Sequence, residues 1–168
     1  MTEKKTVLVT GIGGVVGQGI VRNIRRIAPN LHILGTNIAS FSGGSHLVDD
    51  FALVPYAYDN AYIPRMIEII ESNNVDLLLP ATDFETFYLS NQRSMLPTTL
   101  VAASAETTGI YLDKYLSAEH HRRHDIPFGR TTLPSQYDGQ FEEVVVKPRK
   151  GRGSRGIHFN PENIGDFD

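Results

Sequence analysis

From Thr6 to Ala103 the hydrophobic positions follow two alternating rhythms. Thr6–Thr10 (TVLVT) is an unbroken β-branched and aliphatic run, the pattern of a strand covered on both faces. From Val15 to Ile27 the apolar residues at 16, 20, 24 and 27 keep the spacing of one helix face. Leu31–Gly35, Asp50–Pro55, Asp76–Pro80 and Thr99–Ala103 read as further strands, and Ser40–Ser45 (SFSGGS) as a loop. Helical patterns lie between the last three strands. One covers Ala61–Glu71, with Ile63, Met66, Ile67 and Ile70 on one face, and the other covers Phe84–Arg93. Strands alternating with helices at this spacing predict an α/β fold with a doubly wound, mainly parallel, Rossmann-like sheet over residues 1–108.

After about residue 105 the rhythm changes. Thr107–Arg123 reads as one or two helices, and Pro127–Pro134, Phe141–Pro148 and Gly156–Phe159 as strand-like pieces. Asn160-Pro161 offers an N-cap followed by proline at the first helical position, which predicts a helix starting there. Residues 109–168 therefore read as an incomplete α+β subdomain, the opening of a longer domain.

Composition narrows the class. Of 168 residues, 40% are hydrophobic and 21% charged, the balance of a soluble globular protein. The net charge of -3 argues against a general polyanion binder and so against nucleic acid as a partner. The chain has no cysteine, which excludes disulfides, thiolate metal sites and thiol nucleophiles and is compatible with a reducing compartment. The apolar window from Val7 to Val21 is broken by five glycines and is too short to span a bilayer, and no signal-peptide pattern precedes it. A cytoplasmic protein without a membrane partner is expected.

Three places carry candidate chemistry. Thr10-Gly-Ile-Gly-Gly-Val-Val-Gly17 follows a strand and opens a helix, where backbone N–H groups can face a ligand. Its T-G-x-x-G-x-x-G spacing resembles the short-chain dehydrogenase/epimerase fingerprint. However, Gly35-Thr-Asn37 stands where a ribose-binding carboxylate is required, and no tyrosine has a lysine four residues on. A tight turn needed only for packing is the plainer reading of the same residues. Asp83 and Glu85 follow the strand at Asp76–Pro80, at the sheet edge where open α/β folds bind ligands. Thr82-x-x-Glu85 is also a capping box, and the two readings are compatible. Gly13, Gly14, Asp83 and Glu85 are the candidate substrate residues. His120 and His124 have helical i,i+4 spacing but lack a third ligand; a solvated helix end explains them, and no metal site is expected within the chain.

The third place is Val145-Val-Lys-Pro-Arg-Lys-Gly-Arg-Gly-Ser-Arg-Gly-Ile157. Ile157-His158 follow the last glycine, so it is not a Walker A loop, and a strand rather than a helix follows, so it is not a Rossmann turn. A glycine-rich loop between two strands suits a flap whose N–H groups converge on phosphate, with Lys147 reaching inward from its strand. A ligand-free basic hairpin or a nucleic-acid loop would give the same charges, although the latter calls for interleaved aromatics.

This segment resembles the phosphate loop of the ATP-grasp superfamily, closest to its carbamoyl-phosphate-synthase-large-chain-like members. Asp113-Lys114, then Asp125-Ile-Pro127 and Thr131-Thr132, resemble that family's helix-then-strand lead-in, and Asp76…Pro80…Asp83-x-Glu85 its pre-ATP-grasp domain. The resemblance implies a pre-ATP-grasp domain at 1–108 and the beginning of an ATP-grasp domain at 109–168. It implies that Lys147 and Lys114 contact phosphates, with Gly151, Gly153, Ser154 and Gly156 forming the flap. Such enzymes phosphorylate a carboxylate with ATP and Mg²⁺ and pass the acyl phosphate to an amine or similar nucleophile. ATP and a small carboxylate are then the expected partners, the Mg²⁺ ligands are expected beyond residue 168, and there is room for a homo-oligomer. The chain alone is expected to be inactive. The competing readings are an NAD(P)-binding dehydrogenase/epimerase-like domain and a non-catalytic nucleotide-binding module.

Overall fold

The computed structural model describes residues 4–167. The chain divides into two compact units, residues 1–108 and 109–168. In the first, β1 (Thr6–Val9), β2 (His32–Asn37), β3 (Asp50–Leu53), β4 (Val75–Leu79) and β5 (Thr99–Leu100) form one sheet in the order β3-β2-β1-β4-β5. All four pairings are parallel. Helices α1 (Val15–Ile27), α2 (Tyr62–Ser72) and α3 (Asp83–Asn91) make the crossovers. Strand order reverses between β1 and β4, so the segments leaving these two strands flank a topological switch point.

Side-chain alternation along the strands builds a core on each face. Val7 and Val9 join Ile12, Val21 and Ile33 on one side, with Ile20 and Ile24 of α1 packed against them. Leu8, Leu34 and Leu78 join Tyr62, Met66, Ile69, Ile70 and Leu89 of α2 and α3 on the other. With both faces covered, the strands read as continuous apolar runs.

One expected helix face is corrected, that of α1, while that of α2 is extended by Tyr62 and Ile69. In α1 the buried residues are Gly17 and Val21, while Val16 and Ile27 are 57% and 74% exposed. The reason is close approach: a Cβ on Gly17 would lie 2.6 Å from the Gly11 carbonyl oxygen, so only glycine lets this turn of helix press on the loop. In α2, Tyr62, Met66, Ile69 and Ile70 are buried, and Ile63 and Ile67 pack at the margin. Strand β5 is also shorter than its apolar run. Beyond it the carbonyls of Leu100, Ala102 and Ala103 accept from the Arg93 guanidinium at 2.8, 2.6 and 3.1 Å instead of from another strand.

Helix α4 (Ala105–Leu112) spans the division between the units, and α5 (Lys114–Arg123) lies in the second. There β6 (Val145–Val146) pairs antiparallel with β7 (His158–Phe159). Pro127–Pro134 forms no strand, and Phe141–Pro148 pairs only at β6. The helix expected from Asn160-Pro161 is absent there. Asn160 has φ +42, its N–H donates to the Val144 carbonyl at 2.9 Å, and its side chain accepts from the Val144 N–H at 2.7 Å. It closes the hairpin instead of capping a helix, and one 3₁₀ turn follows at Ile164–Phe167. No helix among the described residues is long and apolar enough to cross a membrane.

Candidate functional site: a cationic cavity and a sheet edge

At the carboxyl edge of the sheet, the Gly11–Gly14 loop turns tightly. Gly11 takes φ +57, and Gly14 starts α1 without a side-chain cap. Gly13 and Gly14 are exposed, and the Gln18 amide donates to the Gly13 carbonyl at 3.3 Å. A Cβ on Gly13 would lie 2.7 Å from the Asn37 amide nitrogen, so Asn37 fills the place where a diol-binding carboxylate would stand.

Across β4 the two carboxylates part. Asp83 is exposed at the start of α3, where its charge suits the helix N-terminus. Glu85 is 6% exposed and faces inward. Its carboxylate accepts from the Thr10 hydroxyl at 2.8 Å, the Thr82 hydroxyl at 2.7 Å and the Tyr62 hydroxyl at 3.4 Å. Thr82 accepts in turn from the Glu85 N–H at 3.2 Å, and Thr10 from the Ala81 N–H at 3.1 Å. The capping reading therefore describes Glu85, which ties the end of β1 to the turn after β4. Burial, reinforced by the Glu85 charge, pushes the Tyr62 phenol well above its ordinary range.

The second unit contains a cavity of about 660 Å³. Its walls carry Lys114, Arg130, Lys147 and Arg149, with Tyr115, Phe128, Tyr137 and Phe141 supplying aromatic surface. Arg130 lies 4.7 Å from the Phe141 ring centre, and Arg149 lies 5.5 Å from that of Tyr115. Four cations beside rings, with Glu143 as the acidic residue of the wall, suit an anion joined to a flat heteroaromatic group.

Lys147 and Lys114, singled out from the sequence, both line this cavity, Lys147 one step past β6. Gly151, Gly153, Ser154 and Gly156 are not in its wall. They form an exposed turn with left-handed backbone at Gly153, Ser154 and Gly156 (φ +62, +56 and +65). The two arms of that turn meet over Pro148, whose ring would lie 3.4 and 3.0 Å from a Cβ on Gly151 and Gly156. The Lys114 ammonium donates to the carbonyls of Pro148, Arg149 and Gly151 at 3.1, 3.5 and 3.4 Å.

Arg130 and the aromatic wall were not singled out in the sequence, and Arg149 was one of four basic loop residues, with Lys150, Arg152 and Arg155, from which no phosphate contact was picked. The one available signal was Asp113, whose partner is Arg149, 36 residues on. Asp113 is 2% exposed. Its Oδ1 caps α5 by accepting from the N–H groups of Tyr115 and Leu116 at 3.0 and 3.2 Å. Its Oδ2 accepts from Arg149 Nη2 at 2.7 Å and Nε at 3.0 Å. Burial opposes ionisation of Asp113, but Arg149 and the two N–H groups outweigh it and hold the carboxyl below its usual range.

The His120 and His124 rings lie 4.5 Å apart, tilted 47° to each other, and His121 Nε2 shares a hydrogen bond of 3.1 Å with the Tyr111 hydroxyl. Among the described residues no three His, Asp or Glu side chains come together as a metal site.

Comparison with solved structures shows the same fold in nucleotide-bound enzymes. N5-carboxyaminoimidazole synthetase from Staphylococcus aureus, complexed with ADP, matches with a TM-score of 0.69 at 11% identity over 98% of this chain and 44% of that one. The biotin carboxylase domain of Hydrogenobacter thermophilus 2-oxoglutarate carboxylase, a dimer with MgADP, ADP and bicarbonate, matches at 0.65 and 15% identity, covering 95% of this chain and 38% of that one. Biotin carboxylase from Campylobacter jejuni, as a β-γ-ATP complex, matches at 0.61 and 15%, covering 94% and 38%. The chain thus spans about two-fifths of the length of these proteins. Comparison with curated protein sequences gives no match. A family model described as PylC-like, N-terminal domain, matches residues 7–101, more than half of the chain. The chain accordingly belongs to the PylC-like N-terminal domain family.

Proposed function

We propose that residues 109–168 supply part of an ATP site, and that the whole protein is an ATP-dependent ligase. In this reading it phosphorylates a small carboxylate and passes the acyl phosphate to an amine or similar nucleophile. The observation that carries the reading is the cavity in which Lys147, Lys114, Arg130 and Arg149 converge beside aromatic rings. The ADP and MgADP in the complexes of the structural neighbours support the choice of nucleotide and cation. Lys147 acts as a point charge toward phosphate. Lys114 joins it when phosphate oxygens replace its two longest carbonyl contacts, those to Gly151 and Arg149. The Gly151–Gly156 turn then folds over the phosphates, its left-handed residues turning successive N–H groups toward the anion.

The sheet edge at Gly13, Gly14 and Asp83 is the proposed acceptor side, with Glu85 behind it as a structural support. Within the superfamily, the carbamoyl-phosphate-synthase-like lineage is the finer assignment suggested by the loop. An ATP-consuming ligase of this kind belongs in the cytoplasm, and self-association is in keeping with the dimeric neighbour.

Calorimetric titration of the chain with MgADP tests the nucleotide site. Binding is expected, with Lys147→Ala weakening it by about tenfold or more, as loss of one charge-assisted phosphate contact would. Turnover by these residues alone is not expected. Heat from NADPH but none from MgADP would overturn the assignment.

A further inference from the structure

The basic segment does not behave as a row of equivalent solvated charges. Arg149 is held by a buried carboxylate, and that carboxylate is the N-cap of another element, α5. The contact has three strands. The guanidinium forks onto Asp113, the Arg149 carbonyl accepts from the Lys114 N–H at 3.0 Å, and the Lys114 ammonium gathers the neighbouring carbonyls. The Lys114 N–H is the first in α5 and has no partner within the helix, so the loop supplies its acceptor. The entering arm of the loop, Pro148–Gly151, is therefore fastened to the start of α5. The left-handed positions that allow bending begin only at Gly153.

We propose that Asp113 and Arg149 form a positioning pair that anchors the phosphate loop, setting Lys147 and Lys114 side by side while the Gly153–Gly156 tip stays free to move. The inference rests on the nucleotide reading above only for its ligand. Arg149 is in this view a positioning residue and not a phosphate contact, its Nε and Nη2 groups both donating to Asp113. Arg is suited to the task because its planar fork matches a carboxylate in two places, which a lysine cannot reproduce.

The sign of one substitution separates this from a direct electrostatic role. Removing a negative charge beside a cationic cavity should, by Coulomb's law alone, strengthen anion binding. A positioning role predicts the opposite. Asp113→Asn is the variant of choice, because asparagine still caps α5 while losing the charge that holds Arg149.

Two readouts on the 168-residue chain test the pair. Amide exchange at Lys114, measured without nucleotide, should speed up by about tenfold in Asp113→Asn and in Arg149→Ala, because its acceptor moves away. MgADP affinity should fall by about tenfold in each variant and no further in the double variant, the mark of two residues acting as one unit. Arg149→Lys should fall between wild type and Arg149→Ala. If Asp113→Asn leaves affinity unchanged or raises it while Arg149→Ala lowers it, Arg149 contacts phosphate directly and the proposal is overturned. Unchanged Lys114 exchange in both single variants overturns it too. A wild-type chain that takes up no MgADP overturns the nucleotide reading alone, and the exchange comparison still decides whether the pair anchors the loop.

Discussion

Replacing Glu85 with alanine tests whether the acidic sheet edge is built for structure or for substrate. The carboxylate is 6% exposed and receives the Thr10 and Thr82 hydroxyls at 2.8 and 2.7 Å. Alanine leaves both hydroxyl protons without that acceptor in a dry site, and each such loss costs about 1–3 kcal/mol. The two losses together come to about 2–6 kcal/mol, and removing a buried charge returns part of its desolvation cost, which draws the sum toward the lower half of that span. The long Tyr62 contact at 3.4 Å adds little. A net loss of about 3 kcal/mol is expected, and Glu85→Gln, which keeps the shape and one acceptor, should lose about 1 kcal/mol. Native-state amide exchange at Leu8 and Leu78 in rising urea isolates the stability of the first unit from that of the second. With a urea slope of about 1.5 kcal/mol/M, alanine should move the midpoint down by roughly 2 M. A Glu85→Ala midpoint within about 0.3 M of wild type would refute the structural account. Loss of acceptor binding at unchanged stability would restore Glu85 as a substrate contact.

Two further outcomes follow from the same geometry. The Tyr62 phenol is raised in the folded state, so its contribution is fully present below its unfolded value of about 10 and is lost as pH rises above it; ultraviolet titration should show this tyrosine ionising only with alkaline unfolding, and Tyr62→Phe should flatten that limb. A Cβ on Gly44 would lie 1.9 Å from the Ile12 carbonyl oxygen, whereas one on Gly19, inside α1, meets nothing within 4 Å. Thermal or urea denaturation should therefore find Gly44→Ala destabilised by about 3 kcal/mol and Gly19→Ala stabilised by up to about 1 kcal/mol.

The alternation of apolar runs and helical stripes determined the parallel sheet, because a strand covered on both faces and a helix covered on one must each carry a distinct periodicity. The turn chemistry of the first glycine cluster and the Thr82–Glu85 cap were legible for the same local reason, since their partners lie within a few residues. Lys147 and Lys114 could be named from the loop and the helix start. That both of them line one cavity was decided only when the chain folded.

What periodicity misread were the places where a contact from outside the element itself intervenes. Gly17 turned α1 away from Val16 because the Gly11 carbonyl needs the room. Arg93 ended β5 by taking its last carbonyls, and Asn160 closed a hairpin with Val144 instead of starting a helix. Glu85 was turned inward by hydroxyls from Thr10 and Tyr62, 75 and 23 residues away. The Asp113–Arg149 pair is of the same kind. Local propensity is a property of neighbours along the chain, whereas burial, charge pairing and a site's walls are properties of neighbours in space, and only tertiary structure supplies those.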